Sequence, residues 1–130
     1  MSAFPTEWKP KPWGRTRTLY LDAQIEITEC EIRAGGFCSQ HAHRHKNNEF
    51  RVIKGWLKVA TDQNPRRDIN IDSDDNEFLH DTMLTTIPAG IRHQFLAIED
   101  TRLIETYTPA GDDPIDPDDI ERFTTGGLRK

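Results

Sequence analysis

The chain is predicted to be an all-β protein, a sandwich or barrel of short strands. Three observations carry that reading. Extended segments alternate with clusters of Gly, Pro, Asn and Asp along most of the 130 residues. No long stretch shows the spacing of an amphipathic helix. Histidines stand at alternate positions, His41, His43 and His45, the spacing that puts side chains on one face of a strand.

Nine strands are expected: Thr16–Tyr20, Gln24–Ile32, Phe37–His43, Glu49–Ile53, Trp56–Thr61, Asn76–Leu79, Met83–Ile87, His93–Ala97 and Arg102–Thr108. Each is rich in β-branched or aromatic residues, or alternates polar with apolar ones. Turn signals separate them, among them Ala34-Gly35-Gly36, Lys54-Gly55, Asp62-Gln63-Asn64-Pro65, Pro88-Ala89-Gly90 and Glu99-Asp100. One domain is expected over residues 1–130, large enough for one core. It carries an N-terminal arm, 1–15, in which Trp8 and Trp13 pack across the barrel without regular structure. A polar excursion, 62–76, has one short strand near Ile69–Ile71. The acidic segment 111–130 is expected to be solvated, with one helical turn pinned by Ile120 and Phe123.

Composition narrows the function classes. Hydrophobic residues make up 35% and charged ones 30%, with a net charge of -5. That balance argues against nucleic-acid binding, which needs a basic face. No apolar run reaches the roughly 18 residues of a membrane span. The first residues lack the apolar stretch of a signal peptide, so the expected location is cytoplasmic. Cys30 and Cys38 are then expected as buried free thiols.

His41 and His43 share strand parity, and His93 follows the Pro88-Ala89-Gly90 turn. Three neutral imidazoles can take a divalent cation, Zn, Mn, Fe, Co or Ni. Alternation places Asn48, Phe50 and Val52 on the inner face, and Glu49, Arg51 and Ile53 on the outer. A bulge at Asn47-Asn48 would reverse this. Asn48, His45 and Glu49 therefore all stand as candidates for an additional ligand. Phe37, Phe50, Phe95 and Tyr107 are expected to line the barrel. Arg44, Lys46 and Arg92 are cations able to hold a phosphate.

These histidine motifs resemble those of the cupin family. Its first motif, G-x5-H-x-H-x4-E-x6-G, falls on Gly35, His41, His43, Asn48 and Gly55. Its second, G-x5-P-x-G-x2-H-x3-N, falls on Thr82, Pro88, Gly90, His93 and Ala97. The resemblance implies a double-stranded β-helix of two packed antiparallel sheets, with a metal inside the barrel near its mouth. The departure that matters is Asn48, where metal-binding cupins place a carboxylate.

A closer resemblance spans roughly residues 11–123. Lys11-Pro12-Trp13-Gly14, Ile32-Arg33-Ala34-Gly35-Gly36, Thr86-Ile87-Pro88-Ala89-Gly90-Ile91-Arg92-His93, Leu103-Ile104-Glu105-Thr106 and Asp118-Asp119-Ile120-Glu121-Arg122-Phe123 are similar to segments of type II mannose-6-phosphate isomerase domains. The same domain ends mannose-1-phosphate guanylyltransferases. That family's first motif, Q-x-H-H-H-R-x-E-x-W, puts His43 and His45 on its outer histidines, Arg44 on the middle one and Lys46 on its Arg. His41 falls on its Gln, Asn48 on its Glu and Phe50 on its Trp. The resemblance implies a homodimer and a small-molecule ligand such as a sugar phosphate.

Three functions follow. The first is a metal-dependent sugar-phosphate isomerase, with Glu105 and Lys46 as candidate catalytic residues. The second is a three-histidine metal oxygenase of the thiol dioxygenase type. The third is a non-catalytic module that binds a carbohydrate or another small molecule.

Overall fold

A computed structural model describes residues 3–64 and 66–129. Thirteen strands, and no helix, occur among them: β1 (Lys9–Lys11), β2 (Gly14–Leu21), β3 (Glu26–Ile32), β4 (Gly36–Phe37), β5 (His41–Ala42), β6 (Lys46–Lys54), β7 (Trp56–Asp62), β8 (Glu77–His80), β9 (Leu84–Ile87), β10 (Arg92–Ala97), β11 (Thr101–Pro109), β12 (Glu121–Arg122) and β13 (Gly127–Leu128). They form two antiparallel sheets. The first runs β1-β2-β3-β11-β6-β9. In the second, β10 pairs on one side with β7, which pairs with β8. On its other side β10 pairs with β4 and β5, which pair in turn with β13 and β12.

The nine expected strands are present, eight intact. The segment expected as one strand over Phe37–His43 is two, β4 and β5, broken at Cys38–Gln40. The break follows from side chains that replace ladder bonds. The amide of Gln40 pairs with Ile69 as a strand backbone would, donating to its carbonyl at 3.0 Å and accepting from its N–H at 3.1 Å. The Phe95 N–H donates to the Cys38 thiol sulfur at 3.2 Å.

Alternation along the strands builds the core. Phe50, Val52, Leu57 and Leu103 are wholly buried, and Trp13, Phe95 and Leu79 join them. Each fully buried aliphatic or aromatic side chain contributes roughly 1.5–3 kcal/mol. Trp13 sits in the turn between β1 and β2, with its ring edge-on to Phe95 at 5.2 Å. Trp8 does not enter the barrel. It stays at the surface under the guanidinium groups of Arg15 and Arg17, at 4.1 and 4.4 Å. The arm is also more regular than expected, since it forms β1 and the start of β2.

All six residues of β10 are buried, because its outer face is covered too. The excursion does this. Ile69 and Ile71 form no strand; they fold back onto Ala60, Leu96 and Phe37 as a second small core. Phe37 therefore packs outside the barrel rather than lining it. The C-terminal segment has no helical turn. Its apolar residues instead flank β12, where Phe123 lies under the Arg92 guanidinium at 4.2 Å.

Candidate metal centre

Two strands and the segment after one of them bring the imidazoles together. β5 supplies His41, the bend after it supplies His43, and β10 supplies His93, which is directly opposite His41 in register. The ring centroids lie 4.3 Å apart for His41–His93, 5.1 Å for His41–His43 and 5.3 Å for His43–His93. One nitrogen of each ring lies within 4.8 Å of those of the other two, and all three residues are buried.

Hydrogen bonds fix which nitrogen faces inward. Nδ1 of His41 is 2.8 Å from the Ser39 carbonyl, that of His43 is 2.7 Å from the Asp119 carbonyl, and that of His93 is 2.9 Å from the Ile91 carbonyl. A carbonyl only accepts, so each Nδ1 carries the proton and each Nε2 keeps its lone pair. Nε2 of His43 and Nε2 of His93 are buried with no hydrogen-bond partner among the described residues. Buried polar atoms normally find a partner. Three neighbouring imidazoles, each held from behind by a carbonyl, make a donor set able to hold a metal ion.

The electrostatics agree. Burial, with the neighbouring imidazoles, pushes His41 well below the usual histidine range. Burial likewise pulls His43 to about 4 and His93 to about 3. The neutral rings are ready to coordinate at physiological pH.

Asn48, on β6, is wholly buried. Neither of its side-chain polar atoms has a partner of good geometry, although its amide lies close enough to Glu105 to favour that group's ionised form. Glu49 lies on the other face, half-buried and outside the cluster. His45 is exposed in the bend before β6 and is also outside it; its N–H donates to the Asp119 carboxylate at 2.8 Å.

A cavity of about 450 Å³ opens beside the histidines, lined by His41, His43, Lys46, Glu105 and Tyr107 among others. A cleft of about 540 Å³ lies at the other end of β6 and β11, far from this chemistry. In the cavity Glu105 accepts from Tyr107 at 3.0 Å and from Thr28 at 3.3 Å, with the Cys30 thiol at 3.7 Å. Burial raises its pKa against those donors. Lys46 is buried with its ammonium 3.3 Å from Glu26 and 4.4 Å from the centre of the Tyr107 ring. Cys30 and Cys38 are free and buried, and burial raises both thiols far above their usual range. Arg44 and Arg92 do not reach the cavity. Arg44 is exposed and pairs with Glu121 at 3.1 Å. Arg92 is buried on the outer face, bonded to Gln40 and Asp68.

The C-terminal segment is part of the site, not a solvated tail. The Asp119 carbonyl holds His43, and its carboxylate accepts from the N–H groups of Arg44 and His45. The Asp116 carbonyl accepts from Lys46 at 3.1 Å. Its acidic composition pointed to solvent. The signal for docking was the pairing of Ile120 and Phe123 with the charged residues between them.

No family model matches the sequence, and no curated protein does either. Solved structures do. The chain is similar to KdgF from Halomonas sp., with TM-score 0.66 and 16% identity over 82% of this chain and 91% of that one. It is similar to the capsular polysaccharide assembling protein CapF from Staphylococcus aureus, with TM-score 0.69 and 16% identity over 95% of this chain and 35% of that one. It is also similar to an oxalate decarboxylase of Bacillus subtilis, with TM-score 0.71 and 14% identity over 91% of this chain and 30% of that one. The chain thus spans about a third of the last two. No helix among the described residues is long and apolar enough to cross a membrane. Two antiparallel sheets and these likenesses establish an all-β fold, the cupin jelly roll or double-stranded β-helix.

Proposed function

We propose that the protein is a metal-binding cupin in which His41, His43 and His93 hold a divalent ion and a small polar ligand is processed beside it. One observation carries the reading: each imidazole is tied through Nδ1 to a backbone carbonyl, leaving its other nitrogen free within the cluster. Zn, Mn, Fe, Co or Ni fits a set of neutral nitrogen donors. Asn48 offers at most a neutral oxygen as a further ligand.

The reaction proposed is sugar-phosphate isomerisation of the mannose 6-phosphate type. Aldose–ketose conversion moves a proton between neighbouring carbons. Glu105 is the residue proposed to hold that proton, because its carboxyl lines the histidine cavity. Lys46, kept in place by Glu26 and the Asp116 carbonyl, orients the ligand. A bound divalent ion supplies Lewis-acid polarisation of the substrate carbonyl. The likeness to a capsular polysaccharide assembling protein points towards carbohydrate chemistry.

Metal analysis of the purified protein, followed by interconversion of mannose 6-phosphate and fructose 6-phosphate with each metal added, tests this. Turnover that is lost in Glu105→Gln with metal retained supports it; no turnover with any metal refutes the isomerase reading. The neutral Asn48 favours a second reading, a three-histidine oxygenase of the thiol dioxygenase type. Oxygen uptake on thiol substrates with ferrous iron separates the two. Metal and sugar binding without turnover in either assay identifies a binding module. A homodimer is the proposed assembly, with exposed Ile53, Met83 and Leu84 beside the open edge of β9 as its contact. Sedimentation of the wild type against Leu84→Lys checks it.

A further inference from the structure

The cavity beside the histidines is not electrically balanced. Lys46 is neutralised by Glu26 at 3.3 Å. Glu105, the other acid on the wall, is pushed by burial towards its neutral form. Asn48 carries no charge. Two cations on the wall form no ion pair among the described residues, Lys11 and Arg122. Of the two, Arg122 is the one that stands in register with a histidine of the cluster, His41.

Its position follows from β12. Arg122 pairs in register with His41, and Glu121 pairs with Ala42. Alternation then sends the two side chains to opposite faces. Glu121 turns outward to Arg44. Arg122 turns to the cavity, where it joins the lining with His41 and His43. There its charge adds to the burial that keeps both imidazoles neutral, and it favours the thiolate of Cys38. Most other arginines are matched to an acid: Arg15 to Glu31, Arg17 and Arg102 to Glu29, Arg67 to Asp62, Arg92 to Asp68 and Arg129 to Asp72. Arg33, Arg51 and Arg66 form no described ion pair, but none of them lines this cavity. Arg122 forms no ion pair and no side-chain hydrogen bond among the described residues. A guanidinium offers five donors in a planar fork that fits carboxylate or phosphate oxygens.

We infer that Arg122 is the anion-binding residue of this site, and that the ligand carries a carboxylate or phosphate group held between Arg122 and the histidine cluster. A cavity of about 450 Å³ suits a ligand of sugar-phosphate size. The inference rests on the metal-binding reading for the cluster, while the role of Arg122 itself can be measured with or without metal.

The test is calorimetric titration of zinc-loaded and chelator-stripped protein with two probes, inorganic phosphate and malonate. Arg122→Gln, Arg122→Lys and Arg33→Gln are compared with the wild type. Arg122 is exposed and makes no side-chain hydrogen bond, so its replacement leaves folding intact. Arg33 is an exposed arginine in the cleft at the other end and controls for overall charge. Expected is a loss of about tenfold or more in affinity for at least one anion in Arg122→Gln, the size of one lost charge-assisted contact. Arg122→Lys recovers part of it, Arg33→Gln matches the wild type, and zinc content is unchanged throughout. The preferred anion distinguishes a carboxylate ligand from a phosphate one. Wild-type affinity in Arg122→Gln, an equal loss in Arg33→Gln, or no binding of either anion overturns the inference. Failure to take up metal sinks the metal-binding reading instead, and the stripped protein still decides the role of Arg122.

Discussion

Stripped of metal, the protein loses stability as pH falls from about 6.5 to about 5, through its buried imidazoles. Burial is the first cause that holds His43 at about 4 and His93 at about 3. In the unfolded chain both titrate near ~6.5. Between these values the unfolded chain binds protons that the folded chain refuses. Stability rises with pH wherever the unfolded state binds more protons. The contribution is therefore complete above roughly pH 6.5 and drains away as pH falls towards the folded values. At about 1.4 kcal/mol per pH unit, the roughly 1.5 units between pH 6.5 and pH 5 amount to about 2 kcal/mol for each group. His41 acts in the same direction. Glu105 acts in the opposite one: its raised pKa makes the folded state the better proton binder, so it gains stability as pH falls.

A difference measurement removes that opposing part. Urea unfolding of stripped wild type and His93→Phe is followed at pH 8, 6.5 and 5. Whatever the offset at pH 8, the wild type should lose about 2 kcal/mol more than the variant by pH 5, the share of His93 alone. Zinc should protect the wild type to lower pH, because the metal competes with the proton for Nε2. An offset that stays constant from pH 8 to pH 5 would mean that His93 is not held neutral, and the argument for an oriented donor set would fall with it.

Thr82 stands where the resembled motif has Gly, and it adopts φ +69°. A β-branched residue pays for that conformation, so Thr82→Gly should raise stability by about 1 kcal/mol in urea unfolding. Lys46→Met leaves the Glu26 carboxylate buried and alone; it should cost about 3–5 kcal/mol at neutral pH, and adding Glu26→Gln should recover most of the loss. A double-mutant cycle by chemical denaturation checks the pair. Asp119→Ala removes the carboxylate that holds the Arg44 and His45 N–H groups. It should cost about 1–2 kcal/mol and weaken zinc binding by loosening His43, as competition with a metal chelator would report.

Much of the site was legible because alternation and register are local. The parity of His41 with His43, and of Asn48 with Phe50 and Val52, can be read from a few consecutive residues, and the buried faces follow it. Other features were hidden because they depend on contacts across the chain. At the break in its strand, the Gln40 side chain pairs with the backbone of Ile69, far along the excursion. Ile69 and Ile71 read as a strand because they alternate, yet they cap Leu96 and Ala60 without pairing. Asp119 sits in an acidic run that looks solvated, and its importance lies in a backbone carbonyl that no side-chain pattern records. Arg122 was concealed for the same reason: its facing is set by pairing with β5, a partner about eighty residues earlier.

Asn48 and Arg122 gain meaning when they are taken together. A carboxylate at position 48 would be wholly buried in the same strand layer as Glu105, and two acids there would repel unless a cation separated them. Such a site would hold its ion tightly and come closer to neutrality by itself. With Asn48 the ion's charge is left for the ligand to balance, and Arg122 adds to that demand instead of relieving it. Glu26 cannot help, since Lys46 already occupies it. On the reading proposed above, the same cavity should therefore bind a metal more weakly and an anionic ligand more strongly than a carboxylate-bearing site would. Ligand and metal should consequently bind with positive coupling, each raising the other's affinity by the same factor.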